Sequence, residues 1–166
     1  MINKILVAVD RSQGSQSVFE HAISLAQATD AKLMLLHILT PTEPEHPIAP
    51  NFTYYPLVQP RDYELYQREF IRYERHGLEF LRHLSRKAEK KGIQLEFTQL
   101  AGNPKQIICE IAHNWSADLI VVGSRGLKGL KEMFFGSVSN YVTHHASCSV
   151  FIVRQLLDSA SEPAFS

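Results

Sequence analysis

The sequence has little of what marks an extracellular, membrane-spanning or nucleic-acid-binding protein. Its 166 residues include only two cysteines and one tryptophan. Cys109 and Cys148 lie far apart and form no CxxC pair. We therefore expect both to be small, buried apolar side chains in a reducing compartment, and we expect no disulfide framework. The chain also lacks an uninterrupted apolar run of about 18 residues, so no transmembrane helix is predicted.

Neither sign of charge is in excess. The 17 basic side chains are balanced by 17 acidic ones. This balance argues against nucleic-acid binding through phosphate neutralisation and against a polybasic membrane anchor. The N-terminal residues pass directly into a strand-like run, so no secretory signal is predicted. We therefore expect a cytoplasmic protein of one domain, with neither nucleic acid nor a membrane as partner.

Short apolar runs alternate with amphipathic stretches along most of the chain. Strands that alternate with helices predict βαβ units, that is, a parallel sheet with helices on both faces. Runs 5–9 and 119–122 are the most continuous and are predicted at the sheet centre, whereas 93–100 alternates with polar residues and is predicted at an edge. The predicted strands are residues 5–9, 32–39, 93–100, 119–122 and 149–153.

Two segments do not fit this alternation. Residues 40–61 contain six prolines, which exclude a regular helix or a central strand, and we interpret them as an insertion in a domain of residues 1–154. Within the insertion, residues 52–58 are apolar. They are interpreted either as a loop packed on its own domain or as a lid or dimer contact. Residues 155–166 are expected to form a flexible tail.

The ends of the two central strands predict a ligand site. In open α/β sheets, ligands bind beyond the carboxyl ends of the strands, where the strand order reverses. Asp10 follows the first predicted strand, and Gly123 follows the fourth. A carboxylate beside a glycine-rich loop is a plausible pair for holding a nucleotide.

The glycine-rich stretch from Gly123 to Ser137 carries the strongest local signal. Glycines allow close backbone approach, and the predicted helix that opens at Gly136 and Ser137 offers unpaired N–H groups to a phosphate. The stretch is neither a P-loop nor a GxGxxG motif. From these residues alone, a phosphate site and a simple connecting turn remain alternatives.

The spacing of these glycines resembles that of a known family. Gly123-x2-Gly126-x9-Gly136-Ser137 has the form of the ATP-binding pattern G-x2-G-x9-G-[ST] of universal stress proteins. Residues 5–12 are similar to the opening strand of that family, and residues 148–153 to its last strand. The resemblance covers roughly residues 2–154. One departure is Arg11, where the family often has glycine; its side chain either reaches a phosphate or points to solvent.

This resemblance implies a Rossmann-like domain with a five-stranded parallel sheet in the order 3-2-1-4-5. It also implies that ATP, or ADP or AMP, lies across the ends of the first and fourth strands. Adenine would contact Val9 and Ile38. Asp10 would bind the ribose or help to hold a nucleotide-bound Mg²⁺ or Mn²⁺. The implied nucleotide-binding residues are Val9, Asp10, Ile38, Gly123, Ser124, Arg125, Gly126, Gly136, Ser137 and Val138.

The function implied by the resemblance is that of a nucleotide-dependent sensor or regulatory module in the stress response. A homodimer is implied through the last strand, from Ser149 to Val153, while the client protein is not indicated. No catalytic residue is predicted, because phosphoryl transfer needs an oriented nucleophile and no general base is recognisable. The alternative is a slow, metal-dependent ATPase that uses Asp10 at the same site.

Overall fold

Five strands and four helices alternate in the computed structural model, which describes residues 1–50, 59–124 and 136–154. Arg125, Gly126, the apolar stretch 52–58 and the predicted tail 155–166 lie outside the described residues. The elements are β1 (Lys4–Val9), α1 (Gly14–Thr29), β2 (Lys32–Leu39), α2 (Pro60–Glu89), β3 (Leu95–Ala101), α3 (Pro104–Trp115), β4 (Leu119–Ser124), α4 (Ser137–His145) and β5 (Ser149–Arg154).

The strands form one parallel sheet in the order β3-β2-β1-β4-β5, which confirms the predicted order. In the middle of the sheet, Val7 of β1 pairs with Leu35 of β2 on one side and with Val121 of β4 on the other. The chain builds outward from β1 to β3, returns past β1 to β4, and then builds outward in the opposite direction. The strand order therefore reverses between β1 and β4, where a ligand crevice is expected.

Helices cover both faces of the sheet, and this explains why its central strands are nearly continuous apolar runs. Successive side chains of a strand point to opposite faces. Ile5 and Val7 join the cluster under α1 and α2, whereas Leu6 joins the cluster under α3 and α4. All three side chains are completely buried. A register slip of one residue in β1 would exchange the two sets, so the apolar pattern holds the register.

The helix α2 begins at Pro60, so the last two residues of the proline-rich insertion 40–61 belong to this helix. Proline is favoured at the first helical position, because its missing N–H would have no intrahelical partner there. A capping box completes the start: the backbone N–H of Gln59 donates to Oδ2 of Asp62 at 3.0 Å. Within the described ranges, no helix combines the length and the apolarity needed to cross a membrane.

Gly77 lets α2 approach β2 and β3 closely. A Cβ atom at this buried position would lie 2.0 Å from Oε1 of Gln99 and 2.9 Å from Nδ1 of His37. Real Cβ atoms essentially never approach another heavy atom this closely, and the two side chains are hydrogen-bonded to each other. A side chain at Gly77 would therefore push the helix outward or separate Gln99 from His37.

Replacing Gly77 with alanine should destabilise the fold. Overpacking of a tight contact costs about 1–3 kcal/mol, which outweighs the gain of about 1 kcal/mol that alanine brings over glycine inside a helix. Urea unfolding of Gly77→Ala measures the balance. Glu79→Ala, on the exposed face of the same helix, should change the free energy of unfolding by less than about 0.5 kcal/mol. A Gly77→Ala protein more stable than wild type would contradict the close contact.

Candidate functional site

A cavity of about 380 Å³ opens at the edge of the sheet where β1 and β4 end. This volume lies in the usual range of small-molecule pockets, roughly 300–1,000 Å³. The cavity stands at the reversal of strand order, the position expected for a ligand in an open α/β sheet. Seven of the residues predicted from the sequence line it: Val9, Asp10, Ile38, Gly123, Gly136, Ser137 and Val138.

Three predicted residues remain, and the structure describes one of them. Ser124 is absent from the described lining; its hydroxyl donates to the carbonyl of Val153 on β5 at 3.3 Å. It therefore contacts the neighbouring strand. Arg125 and Gly126 lie outside the described residues.

The floor of the cavity is apolar. Parallel strands end here with small or branched side chains, α3 adds two more apolar residues, and α1 adds one. Such a surface suits a flat ring that gives up little hydration when it is buried. The apolar lining residues outside the predicted set are Ala8, Val18, Leu36, Pro104, Ile108 and Val122.

A carboxylate held by two serines stands on one side of the cavity. Oδ1 of Asp10 accepts hydrogen bonds from the N–H of Ser12 at 2.9 Å, from the hydroxyl of Ser15 at 2.9 Å, and from the hydroxyl of Ser12. The backbone N–H of Asp10 donates in turn to Oγ of Ser15 at 2.7 Å. Ser12 and Ser15 also line the cavity and were not predicted. An aspartate two residues before a serine is a known local turn signal.

The first turn of α4 stands at the cavity, and among the described residues no side-chain cap is seen at its start. Gly136 is the N-cap and makes no side-chain cap hydrogen bond. The first four N–H groups of a helix have no intrahelical partner, and the helix dipole adds partial positive charge there. Ser137 and Val138 belong to this turn and line the cavity. The arrangement favours an anion, such as a phosphate or carboxylate.

Residues 40–46, which follow β2, form a further wall that the sequence analysis missed. Thr40, Thr42 and Glu43 line the cavity. Because no motif marks these residues, only their position after β2 brings them to the site.

Arg11 forms an ion pair with Glu45, an exposed contact of the kind that contributes little stability. Neither predicted alternative for Arg11, a phosphate contact or a solvated side chain, included this partner.

Hydrogen bonds keep Glu43 ionised in this wall. Burial raises the pKa of the carboxyl, but hydrogen bonds from His37 and Tyr73 outweigh burial, and the nearby charge of Arg11 adds to them. The pKa of Glu43 is therefore below its ordinary value of 4.5. Burial and the same hydrogen bond to Glu43 raise the pKa of Tyr73, so its phenol stays protonated and donates.

The family follows from a match over most of the chain. The model of the universal stress protein family matches residues 1–154. The chain belongs to the universal stress protein family. The universal stress protein YxiE of Bacillus subtilis is 38% identical over 156 residues, covering 93% of this chain and 100% of that protein. The universal stress protein Sll1388 of a Synechocystis strain is 36% identical over 151 residues, covering 91% and 97%.

Solved universal stress proteins share the fold. UspA from Lactobacillus plantarum has a TM-score of 0.70 at 27% identity, covering 92% of this chain and 98% of its own. A family member from Arabidopsis thaliana with AMP bound has a TM-score of 0.61 at 22% identity and covers 97% of both chains. One from Archaeoglobus fulgidus in complex with dAMP has a TM-score of 0.54 at 22% identity, covering 92% and 98%. At such identities the last two show the fold alone.

Replacing Ser15 with alanine should cost about 1–3 kcal/mol of stability, the usual penalty for a buried polar group left without its partner. The reason is that Ser15 is buried and is the acceptor for the N–H of Asp10. Thermal or urea unfolding measures the loss. The matched control is Ser24→Ala, an exposed serine of the same helix, which should stay within about 0.5 kcal/mol of wild type. Equal stability of both variants would contradict the role of Ser15.

Proposed function

We propose that this universal stress protein binds an adenine nucleotide, with ATP as the principal ligand, and that occupancy of the site acts as a regulatory signal in the stress response. One observation carries the proposal: the uncapped N-terminus of α4 and the anchored carboxylate of Asp10 line the same cavity, which has an apolar floor. An anion-binding helix end, a hydroxyl-binding carboxylate and a flat apolar surface match the three parts of a nucleotide.

The three parts of the ligand are assigned by their chemistry. Adenine takes the apolar floor beside Val9 and Ile38, because the two faces of its flat ring pack well on apolar side chains. The ribose lies at Asp10, because a carboxylate only accepts hydrogen bonds and sugar hydroxyls donate them. The phosphates lie at Gly136 and Ser137, where backbone N–H groups and the helix dipole favour negative charge.

The ligands of related proteins support this assignment. The similar folds from Arabidopsis thaliana and Archaeoglobus fulgidus hold AMP and dAMP, both adenine nucleotides. A divalent cation fits the proposal only as a companion of the phosphates, because the described residues contain no cluster of three or more potential metal ligands. We propose that Mg²⁺ or Mn²⁺ enters with the nucleotide, on the side of Asp10.

Replacing Ser137 with glutamate should weaken ATP binding at least about tenfold, as repulsion of about 1.4 kcal/mol suffices for that factor. Ser137 is exposed in the first turn of α4. A carboxylate there repels phosphates, but it is stabilised by the positive end of the helix dipole, so the fold should be unharmed. Calorimetric titration with ATP measures the loss, preceded by mass spectrometry of any nucleotide released on denaturation.

Two comparisons sharpen this test. Ser137→Gln has nearly the same shape without the charge and should bind ATP within about threefold of wild type. Adenosine, which has no phosphate, should bind wild type and Ser137→Glu alike. Equal ATP affinity in wild type and Ser137→Glu would contradict a phosphate site at α4, and a wild-type protein that binds no adenine nucleotide would refute the proposed function.

We also propose that two copies pair through β5, as the resemblance implied. This strand is the outermost on its side of the sheet, and Phe151 keeps 38% of its surface exposed. An apolar edge strand needs a cover or a partner.

Light scattering should give about twice the monomer mass of 18.9 kDa. Phe151→Lys should shift the protein toward the monomer, whereas Leu100→Lys, on the opposite edge strand β3, should not. A wild-type monomer at micromolar concentration would contradict the pairing.

A further inference from the structure

A buried histidine connects the sheet to residues 40–46 and plays no part in the function proposed above. His37 lies on β2 and is completely buried. Its Nδ1 lies 2.8 Å from Oε1 of Gln99 on β3, and its Nε2 lies 3.0 Å from Oε1 of Glu43. The second carboxylate oxygen of Glu43 accepts a hydrogen bond from the hydroxyl of Tyr73 on α2. Three elements of the fold thus meet at one carboxylate and one imidazole.

The partners of His37 decide where its protons lie. The side-chain nitrogen of Gln99 donates to the carbonyl of Glu74 at 3.0 Å, so Gln99 turns its oxygen toward the ring. An amide oxygen only accepts, and Nδ1 of His37 therefore carries a hydrogen. On the other side, Nε2 faces the carboxylate of Glu43, which also only accepts when it is ionised. A hydrogen bond between them requires one further proton, which the two groups share.

The surroundings of Glu43 favour its ionised form. Because its pKa is lowered, both carboxylate oxygens act as acceptors, one toward Nε2 of His37 and one toward the hydroxyl of Tyr73. From the elements packed around the pair, β3 contributes the neutral Gln99, α2 contributes the protonated phenol of Tyr73, and the β1–α1 connection contributes the cation Arg11. The ion pair of Glu45 with Arg11 lies farther out at the surface. Oε2 of Glu45 is also 3.8 Å from Nδ1 of His76.

Glu43 is also the centre of the turn that forms the cavity wall. Its N–H donates to the carbonyl of Thr40 at 3.1 Å, and its carbonyl accepts from the N–H of His46 at 3.0 Å. The hydroxyls of Thr40 and Thr42 are hydrogen-bonded to each other at 2.6 Å. Both threonines line the cavity. Fixing the side chain of Glu43 therefore fixes two consecutive turns and the two threonines that line the cavity.

We propose that Glu43 is a positioning residue for nucleotide binding: through the proton that it shares with His37, it holds residues 40–46 in place as one wall of the cavity. This inference rests on the nucleotide site proposed above. When the hydrogen bond between Nε2 and the carboxylate is removed, residues 40–46 lose the contact that ties them to β2. Nucleotide affinity then falls, because Thr40 and Thr42 are no longer held at the cavity.

Two variants of Glu43 separate this role from simple packing. Glu43→Gln supplies an amide N–H to Nε2 of a neutral His37 and keeps an oxygen for Tyr73, so it rebuilds both hydrogen bonds without the shared proton. Glu43→Ala removes both. Calorimetric titration with ATP should show an affinity at least about tenfold lower for Glu43→Ala at neutral pH. Glu43→Gln should stay within about threefold of wild type there.

Amide exchange gives an independent comparison that needs no ligand. Without ligand, the amides at positions 43 and 46 should exchange with solvent at least about tenfold faster in Glu43→Ala, with protection restored in Glu43→Gln.

Each outcome bears on one claim. Equal ATP affinity of Glu43→Ala and wild type, or equal amide protection in all three proteins, would overturn the positioning role. If Glu43→Ala does not fold, Glu43→Gln still decides the matter, because loss of its ATP affinity or of its amide protection would contradict a role carried by the two hydrogen bonds. If Ser137→Glu loses ATP binding while the Glu43 variants keep the wild-type affinity, this inference alone is overturned. Absence of ATP binding by the wild type at any pH overturns the proposed function and this role together.

Discussion

The position of β1 between β2 and β4 is the constraint on which the rest of the structure depends. A parallel sheet covered on both faces must satisfy its backbone groups within the ladder, because water does not reach them. The apolar clusters on the two faces hold β1 in that central register. Since the chain builds outward in both directions from β1, the neighbouring connections diverge at its carboxyl end. The cavity is a geometric consequence of that divergence.

The chemistry of the cavity comes from the segments that leave the sheet at this edge. The connection after β1 brings Asp10 with the two serines that hold it, and the segment before α4 brings an uncapped helix end. Neither feature is selective by itself. Their position across one apolar floor makes a site with an anion-binding end and a hydroxyl-binding side, which is how a preformed pocket obtains specificity from few polar groups.

Beneath that edge, the fold includes polar groups in its core at the contact between α2 and the sheet. His37, Gln99 and Tyr73 would be costly there without partners, yet among the described residues no buried side-chain nitrogen or oxygen lacks a hydrogen bond. The close approach of α2 at Gly77 leaves space for these partners and for little else. Such a network tolerates few alternative arrangements, so it specifies one position for the segment that follows β2.

The sequence by itself determined the strands, their order through the family resemblance, and those site residues that directly follow a strand or start a helix. Asp10, Gly123 and Gly136 were accessible in this way, because strand ends and helix starts have local signatures. Thr40, Thr42 and Glu43 were not, and neither was the partner of Arg11. Their positions depend on contacts between distant parts of the chain, such as that of Glu43 with Tyr73, 30 residues away. Only the tertiary structure decided them, because a hydrogen bond between such residues exists only after the sheet and α2 have packed together.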